Sequence, residues 1–343
     1  MDLNGKDLIC TQDWSMEEIA GVLELAESMR KHRYAGEYTG LLKHRTFMMF
    51  FYNPSVRTRQ SFEAAATELG GHAQFLEPKS MRLKTRQSAG ETIEDVARVI
   101  SRYAVGLGIR ILEDQVSAYG DGDKLLREYA RYATIPVINM ADDRYHPCQG
   151  LADIMGLRQH LGKELSGQKL LMVWGRGALA RSRCSVQENL LISSRFGMDI
   201  TVAHPEGYDL DPEVIAQARE HCAGNGAKFQ LTHDVTKGYQ GANVVCSRNW
   251  MSPHAYDSGE FDRAGEVEKA LQYPDWICDE AKMKMTANAL FLHPMPVDRG
   301  NEATDGVASG KRSIIYDVAE NRLHVQKAVM ALTMSDREVE LIP

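Results

Sequence analysis

Thr46-Phe-Met-Met-Phe-Phe-Tyr52 runs directly into Asn53-Pro-Ser-Val-Arg-Thr-Arg-Gln-Ser-Phe62. The unbroken apolar run reads as a buried strand, and the polar turn after it opens at once into an amphipathic stretch over 57–69, so strand, turn and helix follow one another without a linker. The same rhythm recurs at Val105–Leu112 before 122–132 and at Pro136–Met140 before 147–161. Short apolar runs alternating with helical stretches predict parallel strands joined by helices. Upstream, Ser15-Met-Glu-Glu18 predicts a capping box ahead of Ile19, Val22, Leu23, Ala26 and Met29 at helical spacing, hence an opening helix. The rhythm pauses at the polar stretch 161–168 and resumes with strands expected at Lys169–Trp174, Asp199–Ala203, Lys228–Leu231, Asn243–Ser247, Leu290–His293 and Ser313–Tyr316. The fold class is therefore α/β: two doubly wound parallel-sheet domains in series, 1–155 and 156–319, with a C-terminal helix over 320–343 returning to the first.

The chain has 343 residues, 43 % of them apolar, which predicts two or three domains with real cores and excludes a disordered chain. Its formal net charge of −7 gives no global attraction for nucleic acid or an anionic membrane, so any anion it binds needs a local site. No apolar run approaches the roughly 20 residues that span a bilayer, and the acidic N-terminus shows no signal peptide, so a cytoplasmic protein is expected. Six scattered cysteines without a C-x-x-C pair fit reduced thiols better than disulfides or zinc. Cys148 is expected to pack in the core.

The turn after the first strand carries the sharpest chemistry. A helix N-terminus offers free backbone N–H groups and the positive end of a dipole, so an anion is favoured there. Ser55 and Thr58 add hydroxyls and Arg57 a planar cation suited to pairs of phosphate oxygens. The plain alternative is an ordinary N-cap beside a solvated Arg-x-Arg face.

Four stretches resemble the ordered landmarks of the aspartate/ornithine transcarbamylase family: Ser55-x-Arg-Thr-Arg-x-Ser-Phe-Glu63, Gly90-Glu-Thr-Ile-Glu-Asp-Val-Ala-Arg98, His146-Pro-Cys-Gln149 and His293-Pro-Met-Pro296. The resemblance spans most of the chain and lies closest to the knotted, acetylornithine-like subgroup. It implies a carbamoyl-phosphate-binding N-terminal domain, an amine-binding second domain, an active site between them, a homotrimer or a multiple of it, and a reaction without metal or organic cofactor. Residue by residue, it implies that Ser55, Val56, Arg57 and Thr58 form the phosphate cradle and that Arg110 lies near the carbamoyl oxygen. It implies further that His146 and Gln149 orient the carbamoyl group, that the Met295 carbonyl meets the carbamoyl amine, and that Arg322 matches a C-terminal arginine of ornithine-type members. Arg57, Thr58, Arg110, His146 and Gln149 are the expected catalytic set. Such donors suit a carbonyl oxygen that gains charge as an amine attacks, and the departing phosphate can take the amine's proton. The basic loop 82–90 reads by itself as a solvated loop; the resemblance implies that it supplies a phosphate ligand to the neighbouring subunit from Lys84, Arg86 or Ser88.

The acceptor is less legible. In the resembled ornithine enzymes a Cys stands at the position of Pro294 and a Ser-Met-Gly loop replaces Ser247-Arg-Asn-Trp-Met-Ser252; aspartate enzymes place Arg directly after their second proline, whereas Val297 and Asp298 precede Arg299 here. Arg248-Asn-Trp250 is similar to the Lys-Ser-Trp run of acetylornithine enzymes. The expected acceptor is a small amino acid, a diamino acid such as 2,3-diaminopropionate or a modified ornithine. Arg248 and Arg299 would face its carboxylate, Asp298 a second ammonium group, and Trp250 and Met251 would line the site. The spacing from Trp174 to Phe196 is similar to that of the acetylornithine-type members, and this resemblance implies the knot, with Arg248–Tyr256 threading the loop that begins at Gly175. Two rivals remain: Gly175-Arg-Gly177-Ala-Leu-Ala180 after a strand matches the dinucleotide fingerprint of an NAD-dependent oxidoreductase, although the next strand ends in Ala203-His-Pro205 without the acidic residue a ribose wants. The other is an inactive relative that binds a phosphate metabolite.

Overall fold

The computed structural model describes residues 3–33, 36–78 and 89–342. They divide into two compact units, one running to Leu151 and resuming at Glu320, the other Ala152–Ala319. In chain order the elements are α1 (Met16–Lys31), β1 (Thr46–Phe51), α2 (Val56–Glu68), β2 (His72–Leu76), α3 (Ile93–Ile100), β3 (Gly106–Arg110), α4 (Asp121–Tyr132), β4 (Val137–Ala141), α5 (Pro147–Leu161), β5 (Lys169–Trp174), α6 (Cys184–Arg195), β6 (Asp199–Ala203), α7 (Pro212–Asn225), β7 (Phe229–Thr232), α8 (Val235–Tyr239), β8 (Val244–Arg248), α9 (Arg263–Leu271), α10 (Glu280–Met283), β9 (Leu290–Leu292), α11 (Asp305–Ala308) and α12 (Ile315–Met334).

In the first unit the strands among the described residues form one parallel sheet in the order β2-β1-β3-β4. Apolar residues fill β1 without alternation because helices cover both of its faces. Phe47 stacks on Phe62 of α2 at 5.4 Å between ring centroids, while Phe50, from the opposite face, meets Tyr129 of α4 edge-on at 5.9 Å. Helix α1 starts with the expected capping box, Ser15 Oγ accepting from Glu18 N–H and Glu18 accepting in return.

In the second unit the order is β7-β6-β5-β8-β9, again parallel throughout. Trp174 closes β5 inside an aromatic cluster with Tyr208, Tyr273 and Trp276. Each sheet has one point where the strand order reverses, between β1 and β3 in the first and between β5 and β8 in the second. At such a point neighbouring connections leave toward opposite faces and open a crevice beyond the strand ends, where ligands bind in open α/β sheets. Among the described residues no helix is long and apolar enough to cross a membrane.

Three sequence expectations need correction. Strand β2 was not expected; it is a partly exposed edge strand whose His72-Ala-Gln-Phe-Leu76 lacks a continuous apolar run. Ser313–Tyr316 is not a strand, since Ser313 forms only an isolated bridge to Phe291 and the chain becomes helical at Ile315. The last helix spans Ile315–Met334 rather than 320–343, because beyond Ser335, whose N–H still reaches Ala331 O, the backbone is irregular.

Candidate active site

The exits of β1 and β3 meet at the first sheet's reversal point. Tyr52 N–H donates to Arg110 O at 2.9 Å, and Asn53 ties the two turns together, accepting from Leu112 N–H at 2.6 Å and donating to Asp114. Helix α2 begins immediately beyond, with Ser55 as N-cap accepting from Thr58 N–H at 3.3 Å. Val56 is 79 % exposed and Arg57 also faces solvent. The other arginine of the motif is turned away from this end: Arg59 lies on the Phe75 ring at 3.9 Å and bridges to Glu63 at 2.8 Å. The helix start therefore presents backbone N–H groups with one hydroxyl at the cap and one cation at its mouth.

Arg322 of α12 joins this cradle to the next. Its Nη1 donates to Gln149 Oε1 at 2.8 Å, and its Nη2 lies 3.5 Å from Thr58 Oγ1. Gln326, one turn further on, accepts from the same guanidinium at 3.2 Å and contacts Ser61 Oγ at 2.7 Å when its amide oxygen faces the arginine. Thr58, His146, Gln149 and Arg322 are all buried, so their bonds act in a low dielectric. His146 and Gln149 lie one turn apart at the start of α5, where His146 O accepts from Gln149 N–H at 2.9 Å. Of the residues expected to hold carbamoyl phosphate, the first unit thus gathers Ser55, Thr58, Gln149 and Arg322 into one neighbourhood, with Arg110 at the end of β3 and His146 just ahead of α5. Lys84, Arg86 and Ser88 lie outside the described residues. Cys148 is fully buried, in keeping with packing.

A device the sequence did not announce holds the turn before His146. Asp142 Oδ1 accepts from Arg144 N–H at 2.7 Å and from Tyr145 N–H, and Oδ2 accepts from the Asn139 amide at 2.9 Å. Asp143 accepts from Gly122 N–H at 3.0 Å and Gly120 N–H at 2.5 Å. Burial and the neighbouring carboxylates push both acids up, Asp143 to about 6.

In the second unit the reversal point holds a buried ionic cluster. Glu302, fully buried, accepts from Asn249 N–H at 2.7 Å and Arg248 Nη1 at 3.4 Å through Oε1, and from Asp298 N–H at 2.7 Å and His293 Nε2 at 3.1 Å through Oε2. Burial by itself would raise the Glu302 carboxyl, but His293, Arg248 and Arg181 outweigh it and hold the acid well below its ordinary range. Burial lowers His293 against the pull of Glu302. Spacing gave no hint of Glu302, which lies 54 residues from Arg248.

The expected acceptor residues are distributed differently. Arg248 is committed to Glu302. Asp298 accepts from Ala178 N–H at 2.8 Å and from the Asn301 amide at 3.0 Å, so its carboxylate clamps the loop after β5. Arg299 points to the surface, bonded to Asp305 and Ser309 at 2.8 and 2.9 Å. Trp250 and Met251 are buried: the Trp250 indole donates to Tyr208 O at 2.8 Å, and Met251 N–H donates to Arg181 O at 2.9 Å. Segment 248–251 is thereby bonded to the 175–183 loop, as Asn249 also donates to Gly175 O at 3.0 Å and Arg183 Nε to Met251 O at 3.3 Å.

That loop corrects the dinucleotide reading. The fingerprint requires a helix to open on the glycines so that its N-terminus faces a pyrophosphate, yet the chain stays irregular from Gly175 to Arg183 and α6 begins only at Cys184. The glycines serve close packing instead: a Cβ on Gly177 would lie 2.7 Å from Asn249 Cβ and Cγ, and one on Gly175 would lie 3.0 Å from Ser247 Oγ. Among the described residues no group of three or more His, Cys, Asp or Glu side chains is arranged to hold a metal ion.

Residues 6–159 match the family described as aspartate/ornithine carbamoyltransferase, carbamoyl-P binding domain, and residues 167–333 match its Asp/Orn binding domain. The chain belongs to the aspartate/ornithine carbamoyltransferase family. It is 37 % identical to the anabolic ornithine carbamoyltransferase of Pyrococcus furiosus over 334 residues, 97 % of this chain and 98 % of that one. It is 36 % identical to the N-acetylornithine carbamoyltransferase of Xylella fastidiosa over 343 aligned positions, covering 96 % and 99 % of the two chains. A crystal structure of acetylornithine transcarbamylase complexed with acetylcitrulline superposes with a TM-score of 0.89 at 34 % identity, covering 97 % of this chain and all of that one. A mutant N-acetyl-L-ornithine transcarbamylase complexed with carbamyl phosphate and N-succinyl-L-norvaline gives 0.87 at 35 % identity, over 95 % and 99 % of the chains. The carbamoyltransferase resemblance read from the four motifs is borne out, and the oxidoreductase alternative finds no support.

Proposed function

We propose that this enzyme transfers the carbamoyl group of carbamoyl phosphate to an amine of a small amino acid, releasing a ureido product and phosphate. The observation that carries the reading is the buried Arg322, bonded to Gln149 and reaching Thr58, beside a helix start that offers N–H groups to an anion. In this reading Ser55, Val56, Arg57 and Thr58 hold the phosphate, and Arg322 balances charge on it. Arg110, His146 and Thr58 donate to the carbamoyl oxygen, and Gln149 orients the carbamoyl group. The uncharged amine nitrogen attacks the carbonyl carbon, negative charge collects on the carbonyl oxygen under those donors, and the carbon–oxygen bond to phosphorus's oxygen then breaks. Phosphate leaves with the electron pair and takes the proton the amine gives up.

The second unit contributes the Met295 carbonyl toward the carbamoyl amine and binds the acceptor. The relatives named above for ornithine and N-acetylornithine support an amino acid as acceptor; a diamino acid or modified ornithine is the reading here. A homotrimer is part of the same proposal, with Lys84, Arg86 or Ser88 acting on the neighbouring subunit. The test is a screen of amines with carbamoyl phosphate, read as ureido product and phosphate in equal amounts. Product from an α-amino acid is expected, and product only from amines that lack a carboxylate refutes the acceptor assignment.

A further inference from the structure

Met295 adopts a left-handed backbone conformation, φ 56°, which is strained for a residue with a Cβ. Something must hold it there. Its N–H donates to His293 Nδ1 at 2.8 Å, so that nitrogen carries no proton. The proton of the neutral ring then sits on Nε2, which faces Glu302 Oε2 at 3.1 Å. The same carboxylate oxygen accepts from Asp298 N–H at 2.7 Å, closing the 293–298 loop from within. His293 and Glu302 are both fully buried, so neither has solvent as an alternative partner.

We propose that Glu302 is a positioning residue for carbamoyl transfer: by accepting from Nε2 it selects the His293 tautomer whose Nδ1 fixes the Met295 backbone, and with it the direction of the Met295 carbonyl. This rests on the reading above that the carbonyl receives the carbamoyl amine. Glu302→Gln is the informative change. Oε1 faces two obligate donors, Asn249 N–H and Arg248, and Oε2 only one, Asp298 N–H, beside a His293 that can switch tautomer, so the glutamine oxygen stays on the Oε1 side, its NH2 takes the place of Oε2, and the Asp298 N–H bond is lost whether residue 293 is His or Asn. There His293 accepts on Nε2 by moving its proton to Nδ1, and Met295 N–H loses its acceptor. His293→Asn separates the two links, since an asparagine oxygen can stand where Nδ1 stood and needs no tautomer.

The experiment combines two-bond 1H–15N spectra of histidine-labelled full-length protein with equilibrium binding of carbamoyl phosphate alone. Wild type should show His293 as the Nε2–H form, and E302Q should show the Nδ1–H form with carbamoyl phosphate bound at least tenfold more weakly. In the H293N background the E302Q change should weaken binding less than threefold. A wild-type ring protonated on Nδ1, or an E302Q ring that keeps the Nε2–H form, overturns the relay. A tautomer switch with unchanged affinity overturns the role of the Met295 carbonyl, and a full E302Q penalty in H293N shows that Glu302 acts by another path and also overturns it. Failure of the amine screen, by contrast, would refute the transferase reading and leave the tautomer result standing.

Discussion

Arg322→Lys tests the first unit's site without removing its charge. Besides Gln326 on its own helix at 3.2 Å, the guanidinium spans two acceptors: Gln149 Oε1 at 2.8 Å, a short bond between buried side chains, and Thr58 Oγ1 at 3.5 Å, at the limit of a hydrogen bond. A lysine ammonium is a point donor on a flexible stem and cannot reproduce that fork. The longer contact counts for little, so the loss is mainly one charge-assisted bond, worth about 1.5–3 kcal/mol. Taking about 2 kcal/mol, and one decade of rate per 1.36 kcal/mol, kcat/KM for carbamoyl phosphate should fall roughly thirtyfold. The assay is ureido product formed against carbamoyl phosphate concentration at saturating acceptor, with the thermal midpoint measured in parallel so that unfolding is not counted as lost catalysis. Because the positive charge remains, long-range attraction for phosphate is unchanged and the deficit reports geometry. An Arg322→Lys enzyme within threefold of wild type, equally stable, would remove Arg322 from the site.

Two further outcomes follow from the packing and the charges. Asp143 is held up at about 6, above its unfolded value near 3.8, so the folded state takes up its proton first as pH falls. This group's contribution to stability should rise by roughly 1 kcal/mol per pH unit between about pH 6 and 4 and vanish as a pH dependence above that range; urea unfolding of wild type and Asp143→Asn should diverge with that sign, and parallel profiles would contradict it. Gly177→Ala should cost about 1–3 kcal/mol, because its methyl would lie 2.7 Å from Asn249 Cβ and Cγ on a buried strand exit, and an unchanged thermal midpoint would show that the loop has room.

Several parts of this protein were legible in the chain alone because they depend on spacing over a few residues. The run Thr46–Phe51 can satisfy its backbone only in a sheet and its side chains only under cover, and Ser55 three residues before Thr58 makes a cap, so β1 and α2 were placed to within a residue. Strands β5 and β6 matched their expected limits for the same reason. The four motifs announced the family, and the two domain matches agree. What local pattern did not carry was partnership across the chain. Arg322 reaches Thr58 across 264 positions, and Glu302 takes four donors from two strand exits. Such pairs exist because the order β2-β1-β3-β4 or β7-β6-β5-β8-β9 brings particular strand ends together, and strand order is set by how helices cover two sheet faces at once. Arg299 and Glu302 show the consequence. The sequence reading named the arginine as an acceptor partner and did not single out the glutamate, and burial separates them: water screens Arg299 beside Asp305, whereas Glu302, cut off from water, must gather every nearby donor to keep its charge.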